Sequence, residues 1–121
     1  MKKREEVSQF LQDFIAKSKI WDIIFRTDRI NNKNALTLLD LEISYTDAKK
    51  ILLELVCEDY AAGPLPDNLY NLSDMWVFGK VIKGKEVYIK VQLGRPNSAT
   101  ICISFHYSEH KMVYPFKISR I

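Results

Sequence analysis

The chain has 121 residues, 47% of them hydrophobic, with only four glycines and four prolines. That length suits one domain able to bury roughly two-thirds of its extended surface, and the composition excludes a long disordered linker, a repeat array or a disulfide-dependent miniature scaffold. The net charge of +3 is unevenly spread, with 10 basic and 11 acidic side chains in residues 1–60 against 8 and 4 in residues 61–121, a bias that suits either a polyanionic partner or an ordinary solvated surface.

The opening MKKREEV is basic, but Glu5 and Glu6 follow at once and the next stretch is amphipathic. It lacks the continuous apolar region and cleavage site of a signal peptide. No segment approaches the roughly 20 apolar residues that cross a bilayer. A cytoplasmic protein without a membrane partner is expected. Residues 5–18 are predicted helical, because Val7, Phe10, Leu11, Phe14 and Ile15 repeat at spacings of three and four and form one stripe.

IWDIIF at 20–25 reads as a short strand or as further helix. Asn31, Asn32 and Asn34 offer turn or capping groups before a short helix over 35–41. Ser44 followed by Asp47 predicts a capping box. It would open a helix with the apolar stripe Ala48, Ile51, Leu52 and Leu55, ending near Asp59. AAGPLPDN is expected to be a loop, since Gly63, Pro64 and Pro66 interrupt regular ladders. Cys57 and Cys102 fall at a helix end and in a strand, which suits buried free thiols. Two cysteines and two histidines without ligand spacing predict no metal site, and no cofactor is expected.

Strands are predicted at 75–82, 86–93 and 99–107, where apolar and polar residues alternate. Gly84 and the segment GRPNS supply the turns. KMVYPF at 111–116 would add a fourth strand, with Pro115 favouring an edge. The predicted architecture is one α+β domain over 1–121. Its N-terminal helices pack on one face of a mainly antiparallel sheet, and 108–121 forms a C-terminal extension or edge strand. The other sheet face stays partly exposed.

That alternation sets Tyr88, Lys90 and Gln92 on one side of their strand and Cys102, Ser104 and His106 on one side of the next. Lys80, on the neighbouring strand, is expected to join them, and Arg95 lies in the following turn. Such a face suits a phosphate backbone. RNA carries its own nucleophile, the 2′-hydroxyl, so cleavage asks the protein for a base, cations and an acid. His106 exchanges protons readily, Lys90 and Lys80 supply positive charge, and Tyr88 supplies a hydroxyl. His110, in the turn SEHK, is a secondary candidate. The same lysines also suit a sheet edge kept soluble. Trp76, Phe78 and Tyr107 fit either base stacking or the core.

The segments LQDFIAKSK, NALTLLDLEISYTDAKKILLELVCEDY, KGKEVYIKVQL and CISFH, in that order over roughly residues 8–107, resemble the MqsR-type toxins of bacterial toxin–antitoxin systems. WVFGK, VYIK, CISFH and YPF are also similar to small uncharacterised bacterial relatives of that group. The resemblance implies a RelE-like fold, metal-independent cleavage of mRNA, and neutralisation by a cognate antitoxin protein. It carries the family's functional tyrosine onto Tyr88, beside Lys90, and sets His106 where the family has a lysine. The family's earlier lysine falls at residues 61–63 and its glutamine at Val77. A non-catalytic RNA- or protein-binding module of the same fold is the alternative.

Overall fold

A computed structural model describes residues 2–26 and 32–117. Helix α1 spans Lys2–Trp21, followed by strand β1, Ile23–Phe25. Helices α2, Lys33–Leu41, and α3, Tyr45–Leu53, come next. Strands β2, Tyr60–Leu65, β3, Met75–Ile82, β4, Lys85–Gln92, and β5, Thr100–Tyr107, complete the order. The sheet order is β1-β5-β4-β3-β2; β1 runs parallel to β5 and every other pairing is antiparallel. Asn31 and Ile118 lie outside the described residues.

The predicted stripes form the core. Val7, Phe10, Leu11 and Phe14 of α1 join Leu38, Leu41, Ala48 and Leu52 against Phe78, Val87, Ile89, Val91 and Phe105 of the sheet. Phe10 stacks on both Phe14 and Trp76, and Trp76 and Phe78 are buried there, away from any base-stacking surface. The capping box is present: the Asp47 N–H donates to Ser44 Oγ, and the Ser44 N–H donates to Asp47. Both cysteines are free. Cys102 is fully buried, which pushes its thiol up, and Cys57 is half-buried. No helix among the described residues is long and apolar enough to cross a membrane.

Four expectations are corrected. Helix α3 stops at Leu53, and a single 3-10 turn, Cys57–Asp59, replaces its predicted end. The predicted loop at AAGPLPDN begins as edge strand β2 on the open side of β3, and irregular chain starts only at Pro66. Pro64, without an N–H, is tolerated at that edge. The segment 111–116 adds no strand and instead crosses the sheet face. Finally, Cys102 does not share a face with Ser104 and His106. Lys90 pairs with Ser104 but Val91 pairs with Cys102, so Ile103 is an extra residue. Such a bulge turns the residues before it to the other side, and Cys102 enters the core.

The end of β5 beyond β1 is covered by a side chain. Asn34 of α2 accepts the Phe105 N–H at 2.8 Å and donates to the Ile103 carbonyl at 3.0 Å, as a neighbouring strand would. This fixes the N-terminus of α2 against the sheet edge.

Candidate functional site

The face away from the helices carries two aligned rows. Ala62, Val77, Lys90 and Ser104 are successive partners across β2, β3, β4 and β5, and Gly79, Tyr88 and His106 are partners across the last three. A concavity of about 520 Å³ opens over these rows. Tyr88, Lys90 and His106 line it together, as their strand parity predicted.

The imidazole of His106 is held on two sides. Its ring stacks on Tyr88 at 5.3 Å between centroids and 17° between planes. Its Nδ1 lies 3.0 Å from the Tyr107 carbonyl oxygen. A carbonyl only accepts, so Nδ1 carries the hydrogen and Nε2 of the neutral ring keeps its lone pair. The Lys90 ammonium lies over the Tyr88 ring, 5.9 Å from its centroid.

The wall of the concavity comes from the segment after β5. The Ser108 N–H donates to the Glu86 carbonyl at 3.0 Å, and Ser108 Oγ donates to the His110 carbonyl, which fixes the turn. Glu86, on β4, accepts the Met112 N–H at 3.1 Å through one oxygen and the Tyr114 hydroxyl at 2.8 Å through the other. Burial first, then that bond, raises the Tyr114 phenol above its ordinary range. Met112 and Tyr114 cover Gly79, where a Cβ would stand 2.8 Å from Met112 Sδ. Phe116 then stacks on Tyr60 at 5.2 Å. The segment is a strap over the exposed face.

The strap brings His110 and Lys111 into the concavity, and α2 brings Lys33. Lys33 donates to Glu109 at 3.0 Å. That hydrogen bond, followed by the lysine's charge, holds the Glu109 carboxyl below its usual range, and the carboxylate also feels both His106 and His110. Sequence reasoning missed Lys33, for which no local signal existed, because it reaches the site only through the docking of α2 on β5.

Three sequence candidates lie elsewhere. Lys80 pairs with core residue Val87, so it belongs to the helix face, and its ammonium binds Asp59 at 3.0 Å. Arg95 is exposed in the turn after β4 and is not among the lining residues. Tyr107 donates its hydroxyl to Asp40 and packs beside the core. Gln92 is wholly buried, donating to Asp67 at 3.1 Å and to the Ser73 carbonyl at 3.1 Å beneath the loop before β3.

The lining is divided in character. Ala61, Ala62, Val77, Met112 and Val113 make an apolar part; the lysines and histidines make a polar, mainly cationic part. Such a division can receive a flat apolar group and an anion at once. Among the described residues no group of three or more His, Cys, Asp or Glu is arranged to hold a metal ion. No protein-family model, curated protein or solved structure matches the chain.

Proposed function

We propose that the chain is an RNA endonuclease, the toxin of a bacterial toxin–antitoxin pair related to the MqsR type, with a RelE-like fold and mRNA as its substrate. The reading includes a cytoplasmic location and a cognate antitoxin protein that covers the strap and the exposed sheet face. The observation that carries it is the held imidazole: His106, stacked on Tyr88 and with Nδ1 3.0 Å from the Tyr107 carbonyl oxygen, lines a concavity that Lys90 also lines.

The chemistry follows from those groups. His106 Nε2 takes the proton of a ribose 2′-hydroxyl, whose oxygen attacks the adjacent phosphorus. Lys90, Lys111 and Lys33 offset the charge that grows on the phosphoryl oxygens. Tyr88 holds the imidazole plane and offers its hydroxyl to the phosphate. The apolar part of the lining receives a base. The products are a 2′,3′-cyclic phosphate and a free 5′-hydroxyl, formed without a metal ion.

A specific observation favours the second reading, a non-catalytic binding module. The positions at which the resembled family carries a lysine and a glutamine fall at 61–63 and at Val77; Ala61, Ala62 and Val77 line the concavity as apolar residues. RNA digestion in EDTA separates the two. Cleavage with a cyclic phosphate product, abolished by His106→Ala and by a 2′-O-methyl ribose at the cut, supports the nuclease. RNA that is retained but never cut supports the module.

A further inference from the structure

In-line displacement at phosphorus sets the entering 2′-oxygen and the leaving 5′-oxygen on opposite sides. A side chain held rigidly on one side cannot serve both, so a nuclease of the proposed kind needs a second proton-transfer group. His106 answers only the first need, because its Nδ1–H is engaged by the Tyr107 carbonyl and its ring lies on Tyr88.

The second group must share the concavity, be of a side-chain type suited to proton exchange around neutral pH and stand on a different element. Tyr88 and Lys90 are on the same strand face as the His106 stack, and phenol and ammonium groups hold their protons too tightly for neutral conditions. The same objection removes Lys33 and Lys111. His110 alone among these lining residues meets all three conditions. It sits on the strap, not the sheet, and Ser108 fixes its backbone through the Glu86 carbonyl and its own hydroxyl. Glu109, paired with Lys33, stands close enough to both imidazoles to feel their charge.

Resting on the nuclease reading, we infer that His110 is the acid that protonates the leaving 5′-oxygen, so that the site works with a pair of histidines, one on β5 and one on the strap. The 2′-hydroxyl proton passes to His106 Nε2 as the 2′-oxygen–phosphorus bond forms. The phosphorus–5′-oxygen bond breaks, its electron pair stays on the 5′-oxygen, and the His110 imidazolium supplies the proton there. The two rings then exchange protons with water, and the net reaction consumes no co-reactant.

Leaving-group dependence tests this assignment. An RNA dinucleotide releases an alkoxide and needs the acid; a nucleoside 3′-(p-nitrophenyl phosphate) releases a phenolate and does not. His106→Ala should slow both by roughly 10²–10⁴-fold. His110→Ala should slow the dinucleotide over the same rough range and leave the aryl ester within a few-fold. His110 is exposed, so the variant should keep the wild-type melting temperature. A His110→Ala protein that cleaves the dinucleotide at the wild-type rate overturns the inference, as does an equal loss on both esters. A wild-type protein that cleaves neither ester overturns the nuclease reading and the inference together, and is recognised by the absence of any turnover to compare.

Discussion

His106 lies directly opposite Tyr88 across β4 and β5, and the two rings stack with centroids 5.3 Å apart. A directly opposed pair on one sheet face brings side chains within about 5.5 Å at Cβ, so the register by itself creates this contact. Ring and hydroxyl can then be separated. On the proposed nuclease reading, Tyr88→Phe keeps the stack and should lower RNA cleavage less than about tenfold, the order of one modest hydrogen bond. Tyr88→Ala frees the imidazole to rotate and should cost about 10²-fold in kcat, as misplacement of a reacting group does. Equal losses in the two variants would place the contribution in the hydroxyl.

On the nuclease reading, Lys90 and Lys80 offer a paired test of which sheet face would meet RNA. Lys90 lines the concavity, while Lys80 is on the helix face against Asp59, itself 7% exposed. Lys90→Ala should weaken RNA binding and reduce the salt dependence of affinity by about one ion. Lys80→Ala should leave that slope unchanged and lower stability by about 1–3 kcal/mol, because a buried carboxylate loses its cation. A salt slope altered only by Lys80→Ala would move the binding face to the other side of the sheet.

Much of this arrangement is readable in the sequence because it is local. The α1 stripe, the Ser44–Asp47 box and the β4 alternation each need only neighbours to show themselves. The side of Lys80 was also readable, through the turn. Lys83 and Gly84 both take positive φ and form a two-residue hairpin turn, which pairs Ile82 with Lys85 and so Lys80 with Val87. A strand begun at residue 86 implies a longer turn and puts Lys80 opposite Tyr88. Other features are non-local. Ala61 and Ala62 show no strand pattern and become one by pairing with the open edge of β3. The residues 112–114 alternate like a strand, yet Glu86 and Gly79 draw them across the face. Ile103 gives no composition cue for a bulge.

Asn34 should matter more to stability than its polar side chain suggests. It is 4% exposed and satisfies both the Phe105 N–H and the Ile103 carbonyl. Asn34→Ala leaves those buried groups without their partner and should destabilise the fold by about 2–4 kcal/mol, on the basis of about 1–3 kcal/mol for each such group and some overlap. Asn34→Asp keeps the acceptor but loses the donor, and should fall between wild type and alanine. Urea denaturation checks the order; an unchanged midpoint for Asn34→Ala would show that the β5 edge finds other partners.

Asp67 gives an acid-side dependence of stability. Its burial alone would raise the carboxyl pKa, but hydrogen bonds from the Tyr70 N–H, the Gln92 amide and the Leu72 and Leu69 N–H groups outweigh burial and lower it. A carboxyl depressed in the fold binds its proton more readily when unfolded. Its stabilisation is therefore complete above the unfolded value of about 3.9 and is lost as pH falls through the lower folded value. Asp67→Asn should remove part of the stability at neutral pH and flatten the decline below about pH 4. A wild-type and variant pair with parallel acid unfolding curves would show that another carboxyl governs that limb.

Gly79 controls whether the strap can lie on the sheet. A Cβ there would meet Met112 Sδ at 2.8 Å, Tyr114 Cε1 at 2.8 Å and the Tyr114 hydroxyl more closely still. Glu86 holds that hydroxyl, so the Tyr114 ring is not a loose end that can swing aside, although the Met112 thioether can, and the Met112 N–H ties the backbone to the same carboxylate. Alanine is compatible with the strand backbone itself, so Gly79→Ala should spare the sheet and lift the strap. The lifted strap carries away the wall formed by 109–113 and, with it, His110 and Lys111. The expected result is faster amide exchange over 109–117 with little change along β4 and β5 and, on the nuclease reading, a raised KM for RNA and a lowered kcat. Glu86→Ala releases the same segment without adding an atom, and should reproduce the pattern. If both variants keep wild-type exchange over 109–117, the strap is held mainly by Phe116 on Tyr60, and Phe116→Ala becomes the substitution that opens the site.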